Sequence, residues 1–311
     1  MRFRQLRYFC KIVECGSFSR AAATIHIAQP ALSQQIAELE AQMGVELLQR
    51  SARGVKATRA GEILYKEGLL ILRQLDQLPA LVRSNTGVVE GSVSLGIVRA
   101  LGPRIAGDIV AACREKLPKV TLKLSAADST SLRDRVESRS LDMAIVFEAE
   151  FLMPALARHP LFRQRVYFLP GEKMVDPATP VSLAQLARLP LVMPSHPNVA
   201  RALLEHALSG AGLSPMIVAE VDDLATVMAS VRSGLGGTIV TTGNLAGVGA
   251  DDLPLPMLIE PALYVTASIV SDSGTPLSRA GDALRSLLAP LIRNHLQTEA
   301  VPGAEWLGNP Q

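Results

Sequence analysis

Cysteine is scarce in this chain. Cys10, Cys15 and Cys113 are the 3 cysteines among 311 residues, an odd count without paired ligand spacing. Neither a disulfide framework nor a zinc site is expected, and buried thiols are the plainer reading. Long apolar runs are also missing: none approaches the roughly 18 uninterrupted residues of a membrane span, so no membrane partner is expected. The opening Met1-Arg2-Phe3-Arg4-Gln5-Leu6-Arg7 has neither an apolar h-region nor a small-residue cleavage site, which predicts a cytoplasmic location. Catalytic patterns are thin as well. Ser195 and His196 are adjacent with no third group to orient them, and Ser233-Gly234-Leu235-Gly236-Gly237 ends a helix instead of opening one after a strand. An enzyme is therefore not expected, nor a catalytic residue, metal or cofactor.

What the chain does have is length, apolar content and an uneven distribution of charge. At 311 residues, 48% of them hydrophobic, it is too long for one core and rich enough to fill two or three. The net charge is only +2, yet residues 1 to 91 hold 12 Lys/Arg against 8 Asp/Glu, leaving 19 against 21 for the remainder. Arg50, Arg53, Lys56 and Arg59 fall between Gln49 and Gly61 with no acid among them, a cluster suited to phosphate contacts and equally compatible with a solvated loop.

Leu6, Phe9, Cys10 and Val13 fall at i, i+3, i+4 and i+7 and make one apolar face on a first helix that ends near Gly16. Ser17 or Ser19 can cap a short second helix, whose Ala21, Ala22 and Ala23 permit close approach by a neighbour. Pro30 opens the third helix, with Gln29 just before it. Leu32, Ile36, Leu39 and Met43 point inward, while Pro30, Ser33, Gln34, Ala37 and Ala41 form an uncharged, small or amide-bearing outer face. Such a face suits a major groove, with Gln34 able to read adenine. Val45 to Arg50, then the basic Arg53-Gly54-Val55-Lys56 turn, then Thr58 read as strand, tip and strand, a wing able to lay Arg53 or Lys56 along the DNA backbone or minor groove.

Ser17 to Ala23, Gln29-Pro30-Ala31-Leu32-Ser33, Ile36, Leu39-Glu40, Gly44, Leu47-Leu48, Arg50, Arg53 and Thr58-Arg59-Ala60-Gly61 together resemble the DNA-binding region of LysR-type transcriptional regulators. Within that family Tyr8 to Tyr65 is most similar to the nitrogen assimilation control subgroup. The resemblance implies a sequence-specific regulator that binds duplex DNA. The DNA-contacting residues expected from pattern and resemblance together are Gln29, Pro30, Ser33, Gln34, Arg50, Arg53, Lys56, Thr58 and Arg59.

Thr58 can cap a helix running to about Ser84, roughly 40 Å at 1.5 Å per residue. Leu64, Gly68, Ile71, Leu75, Leu78 and Val82 follow a 4-3-4-3-4 spacing, a seam expected to pair with a second copy, with Gly68 leaving a gap and Pro79 kinking or stopping the helix. The residues predict a homodimer; the resemblance extends this to a homotetramer on bent DNA and admits RNA polymerase as a further partner.

A hinge is expected at residues 85 to 91. Beyond it, strands and helices alternate: strands at Val93 to Val98, Val120 to Ser125 and Leu141 to Phe147, with helices between them, predict a mainly parallel sheet. A second set of strands, at Val166 to Leu169, Leu189 to Met193, Met216 to Ala219 and Thr238 to Val240, precedes a return through Leu263 to Val270 and a final helix from Pro276 to His295. The expected architecture is α+β and multidomain. It has a winged helix-turn-helix at 1–58, a linker helix and hinge at 59–91, and a two-lobed α/β regulatory domain at 92–311. Lobe I is expected at about 92–161 and 268–296, lobe II at about 162–267, and the tail from Gln297 is expected to be unpacked.

The two lobes resemble the regulatory domain of the same family, similar to periplasmic solute-binding proteins, which implies a small-molecule effector in the cleft. Strand ends and helix N-termini converging there would suit an anion. By position, the candidate contacts are Arg99, Ala100, Ser129 and Thr130 on one lobe, and Pro194, Ser195, His196, Thr226 and Thr241 on the other. A small-molecule-binding protein of solute-binding fold without a DNA role is the alternative.

Overall fold

A computed structural model describes the chain except residues 52–53, 83–88, 150–155, 172–178, 242–253, 300 and 309–311, and excepting also the side chains of 73, 76–77 and 79–82. The chain forms two compact units, the second beginning at Val89. Among the described residues no helix is long and apolar enough to cross a membrane.

The first unit is a three-helix core with a hairpin and a long helix. Helix α1 (Phe3–Cys15) ends at Gly16, α2 (Phe18–Thr24) is capped by the Ser17 hydroxyl, and α3 (Gln29–Met43) has Pro30 in its first turn and ends at Gly44. Gly16 and Gly44 take φ of 60° and 71°, left-handed values that a side chain disfavours and that let each helix stop within one residue. Leu6, Phe9, Ile12, Leu32, Ile36 and Leu39 are fully buried against one another. Met43, expected with this inward set, is 42% exposed in the last turn of α3.

Strands β1 (Leu48–Ser51) and β2 (Gly54–Ala57) pair antiparallel, Leu48 opposite Ala57 and Ser51 opposite Gly54. The Glu40 carboxylate accepts from the backbone N–H of Leu47 (2.7 Å) and Leu48 (3.1 Å), which fixes where α3 hands over to the hairpin. The Val55 N–H donates to the Gly16 carbonyl (2.9 Å), anchoring β2 at the end of α1.

Helix α4 (Arg59–Val82) starts beside the hairpin, with Thr58 as its cap: the Thr58 hydroxyl accepts from Gly61 N–H (3.0 Å) and donates to the Glu46 carbonyl (2.7 Å). A Cβ at Gly61 would collide with the Leu47 carbonyl oxygen, so only glycine permits this approach. The expected seam divides in two. Leu64 packs on the unit's own core, and Gly68 lies against Leu6 and Cys10 of α1 instead of leaving a gap toward another copy. Ile71, Leu75 and Leu78 are 39%, 38% and 47% exposed. The helical backbone continues through Pro79; the side chains of Pro79 and Val82 and the expected end at Ser84 lie outside the described residues.

The second unit opens with β3 (Glu90–Val98), α5 (Gly102–Lys116), β4 (Lys119–Ala127), α6 (Ser129–Glu137) and β5 (Met143–Glu148), with β4, β3 and β5 side by side and parallel. Strand β6 (Ala157–Leu169) then runs the length of both lobes. Its first part pairs antiparallel with β12 (Tyr264–Ser271), which also flanks β5, while its last residues pair with β10 (Thr238–Thr241) and β11 (Met257–Glu260). The changeover falls between Arg165, opposite Tyr264, and Val166, opposite Thr241. It differs from the expected boundaries at 161/162 and 267/268 because both of those fall inside the β6–β12 pairing, which runs from Ala157 opposite Ser271 to Arg165 opposite Tyr264.

The second lobe also holds β7 (Val181–Ser182), α7 (Leu183–Leu186), β8 (Pro190–Met193), α8 (Val199–Gly210), β9 (Met216–Glu220) and α9 (Leu224–Arg232), with β8 parallel to β9 and β7 parallel to β11. Helix α10 (Arg279–Thr298 in the chain) returns to the first lobe, where Leu284, Leu288 and Ile292 are buried. Residues 304–306 of the tail beyond it are packed, contrary to expectation. Strand β13 (Ala304–Trp306) pairs with β6, and the Arg163 guanidinium meets Glu305 at 2.6 Å.

Candidate nucleic-acid interface and ligand cleft

Helix α3 presents Gln29, Pro30, Ala31, Gln34 and Ala37 to solvent, with Ser33 half-buried beside them. Its buried Leu32, Ile36 and Leu39 hold the opposite face in the core, so the outer face is set by the same periodicity that makes the fold. The Gln34 amide donates to Glu38 Oε1 and the Gln35 amide to Glu38 Oε2, both at 3.2 Å. Arg50, on β1, lays its guanidinium 4.3 Å from the centre of the Phe18 ring and donates from Nη2 to the Ser33 hydroxyl at 3.1 Å. Hairpin and outer helix are thereby joined through one cation stacked on an aromatic platform.

Lys56 is exposed on β2, and Arg59 is exposed in the first turn of α4. A cation there opposes the helix dipole, at a cost of about 0.3–1 kcal/mol. Arg53 lies outside the described residues. Thr58, expected on the DNA face, has its hydroxyl committed to the cap of α4. The sequence reading missed Phe18 as the seat of Arg50 and Glu40 as the cap of the hairpin; an aromatic beside the Ser17 cap and an acid one turn before Gly44 were the available signals.

Between the lobes lies a cleft of about 230 Å³. Arg99, Ala100, Ser129, Thr130, Pro194 and Thr241 line it. Ser195, His196 and Thr226 do not. The Ser195 N–H donates to Asp222 (2.8 Å), His196 Nε2 turns toward Glu205 (3.2 Å), and Thr226 donates from its N–H and hydroxyl to Asp223 (2.9 and 2.8 Å). Ser129 is not the cap of α6. Its oxygen accepts from the Phe147 N–H (3.0 Å), while Asp128 caps the helix by accepting from Ser131 N–H (2.8 Å).

The cleft floor is apolar, with Val98, Phe147, Val166, Val227, Met228 and Val240. Among the described residues its ionisable lining is Arg99 and the carboxylates Asp128, Asp222 and Asp223, which the sequence reading passed over although aspartate is a favoured residue immediately before a helix. Hydrogen bonds from the Thr226 N–H and hydroxyl hold the Asp223 carboxyl below its ordinary range, and Arg99 adds to the effect. Behind the cleft, the buried Arg201 donates to Glu205 (2.8 Å), Glu220 (2.7 Å) and the Pro194 carbonyl (3.0 Å), fixing the loop that supplies Pro194 to the wall.

A winged helix-turn-helix with a long helix behind it, followed by a two-lobed domain around a cleft, defines a ligand-responsive DNA-binding regulator. Residues 3–62 match the model of the bacterial regulatory helix-turn-helix protein, lysR family, and residues 86–292 that of the LysR substrate binding domain. The nitrogen assimilation regulatory protein nac of Klebsiella aerogenes is 32% identical over 294 residues, 94% of this chain and 95% of that protein. The HTH-type transcriptional regulator BbuR of Bordetella bronchiseptica is 32% identical over 310 residues, covering 98% and 93%. A full-length OxyR variant from Pseudomonas aeruginosa shares the fold with a TM-score of 0.70 at 21% identity, covering 94% of this chain and 95% of that one. The chain belongs to the LysR family of DNA-binding transcription regulators, with an effector-binding domain, and that family is not one of enzymes.

Proposed function

We propose that this regulator reads its operator through Gln29, Pro30, Ser33 and Gln34 at the start of α3, while Arg50, Arg53, Lys56 and Arg59 hold the phosphate backbone. The observation that carries this division is the uncharged outer face of α3 beside a cationic hairpin, joined by Arg50 on Phe18 and Ser33. Thr58 contributes by its backbone or not at all, its hydroxyl being engaged in the cap.

The protein works as a homodimer joined along α4, in which Ile71, Leu75 and Leu78 form an exposed stripe that a second copy would cover. Pairs of dimers forming a homotetramer would span an extended site. An effector in the interlobe cleft, contacting Arg99, Ala100, Thr130 and Thr241, would shift the balance between two assemblies by binding one of them better. Similarity to the nac proteins over 94% of the chain supports placement near the nitrogen assimilation control subgroup.

Fluorescence anisotropy on a cognate and a scrambled duplex tests the DNA reading. Gln34→Ala is expected to lower affinity for the cognate duplex alone, by about 1–3 kcal/mol for a lost bidentate contact. Lys56→Ala is expected to weaken both duplexes alike and to reduce the salt slope by about one. Equal effects of the two substitutions on both duplexes refute the division of roles.

A further inference from the structure

Helix N-termini select anions because their unpaired N–H groups and positive dipole ends point outward. At two of the three helix starts on this cleft, those of α6 and α9, the chain's own carboxylates already occupy those positions, while the neutral Asn198 caps α8. Asp128 accepts from the Ser131 N–H at the start of α6, Asp223 from the Thr226 N–H at the start of α9, and Asp222 from the Ser195 N–H after β8. In these contacts each carboxylate is engaged through a single oxygen, and the second remains as an acceptor. An incoming anion would thus find the Ser131, Thr226 and Ser195 N–H groups taken and three like charges facing it, with Arg99 as the one base among the described residues of the lining.

Resting on the reading of this cleft as the effector site, we infer that its ligand is a small molecule carrying a protonated amine on an apolar body, and not a carboxylate or phosphate lacking an amine. The ammonium would sit among the Asp128, Asp222 and Asp223 carboxylates, and the body would cover the floor of Phe147, Val227 and Met228. The 230 Å³ of the cleft limits the body to a small one. Asp223 is charged at neutral pH, since its hydrogen bonds hold it below the ordinary carboxylate range. Arg99 supplies a place for a carboxylate on the same molecule, so the amine can belong to a free amine or to an amino acid.

Calorimetry on the full-length protein separates these cases, using matched amines, amino acids and carboxylic acids on branched, straight-chain and aromatic skeletons; 3-methylbutylamine, leucine and 4-methylpentanoate are one such set. At least one amine-bearing probe is expected to bind about tenfold or more tighter than its matched acid. Asp222→Asn and Asp223→Asn keep an oxygen for the Ser195 and Thr226 N–H groups but remove the charge, and each is expected to weaken that probe by about tenfold. Loss of amino-acid affinity in Arg99→Ala, without loss for the amine, assigns the amino acid; equal affinity of the two in the wild type assigns the free amine. Acids binding as well as amines, amine binding unchanged in both Asn variants, or no amine binding overturns the inference. Ala100→Phe, which places a ring in the cleft, distinguishes this failure from a deeper one. Acid binding that Ala100→Phe abolishes overturns only the amine assignment, whereas probe binding that Ala100→Phe leaves intact overturns the cleft as the site.

Discussion

Arg50→Lys keeps the charge and removes the geometry. The guanidinium lies 4.3 Å from the Phe18 ring centre and donates to Ser33 at 3.1 Å, whereas a lysine ammonium is a compact point charge without a planar face to stack. An exposed cation–π contact contributes about 0.5–1 kcal/mol. A hydrogen bond at an exposed edge adds about 0.5–1.5 kcal/mol. Losing most of both is expected to lower the stability of the isolated first unit, measured by urea unfolding, by about 1–2 kcal/mol. The effect on DNA separates positioning from simple charge. If Arg50 chiefly fixes the hairpin against α3, Arg50→Lys weakens the cognate duplex several-fold and leaves the slope of log affinity against log salt unchanged, because the number of phosphates neutralised is the same. A lysine variant with wild-type stability and wild-type cognate affinity refutes the argument that the Phe18 platform matters.

Replacing Leu75 and Leu78 together by serine is expected to weaken dimerisation by more than about tenfold, from roughly 1.5–3 kcal/mol per leucine buried, without lowering the stability of the first unit, since both side chains are exposed within one chain. Sedimentation across a concentration series reads it, and an unchanged dimer would remove α4 from the interface. Arg59→Glu replaces a cation opposed to the helix dipole by an anion that the dipole favours; thermal unfolding is expected to shift upward by an amount worth about 0.5–1 kcal/mol while DNA affinity falls. A variant that gains stability and keeps its affinity removes Arg59 from the DNA face.

The three-helix core was legible because its pattern is local. Leu6, Phe9 and Cys10 on α1 and Leu32, Ile36 and Leu39 on α3 repeat at helical spacing, and all are buried. The two lobes were legible for a similar reason: β3 and β5 are short apolar runs separated by helical segments. What escaped depended on partners distant in the chain. The first half of β6 carries Arg158, His159, Pro160, Arg163 and Gln164, and no strand was expected there before Val166; β12 recruits it to the sheet, accommodating Pro160 opposite Ser268 where the register shifts. The tail was read as unpacked from its proline and glycine, yet its backbone pairs with β6 and its Glu305 with Arg163. Gly68 was assigned to the wrong side of α4, because heptad spacing gives a stripe but not the element that covers it.

The site shows the same division more sharply. Positions on α3 follow from one helix, so its solvent-facing set could be named from spacing alone. The cleft is assembled from loops separated by more than a hundred residues, and position in the sequence predicts which loops arrive there but not which side chain turns inward. Ser195, His196 and Thr226 reach the right loops and then spend their polar groups on Asp222, Glu205 and Asp223. Local hydrogen-bond demand explains this outcome: an exposed turn before a helix needs an acceptor, aspartate is the best one, and its neighbours are drawn to it. That same demand reverses the expected electrostatics of the cleft. At α6 and α9 the helix starts that made an anion plausible are the places where aspartates stand as caps, and their second oxygens are the acceptors that an ammonium would use.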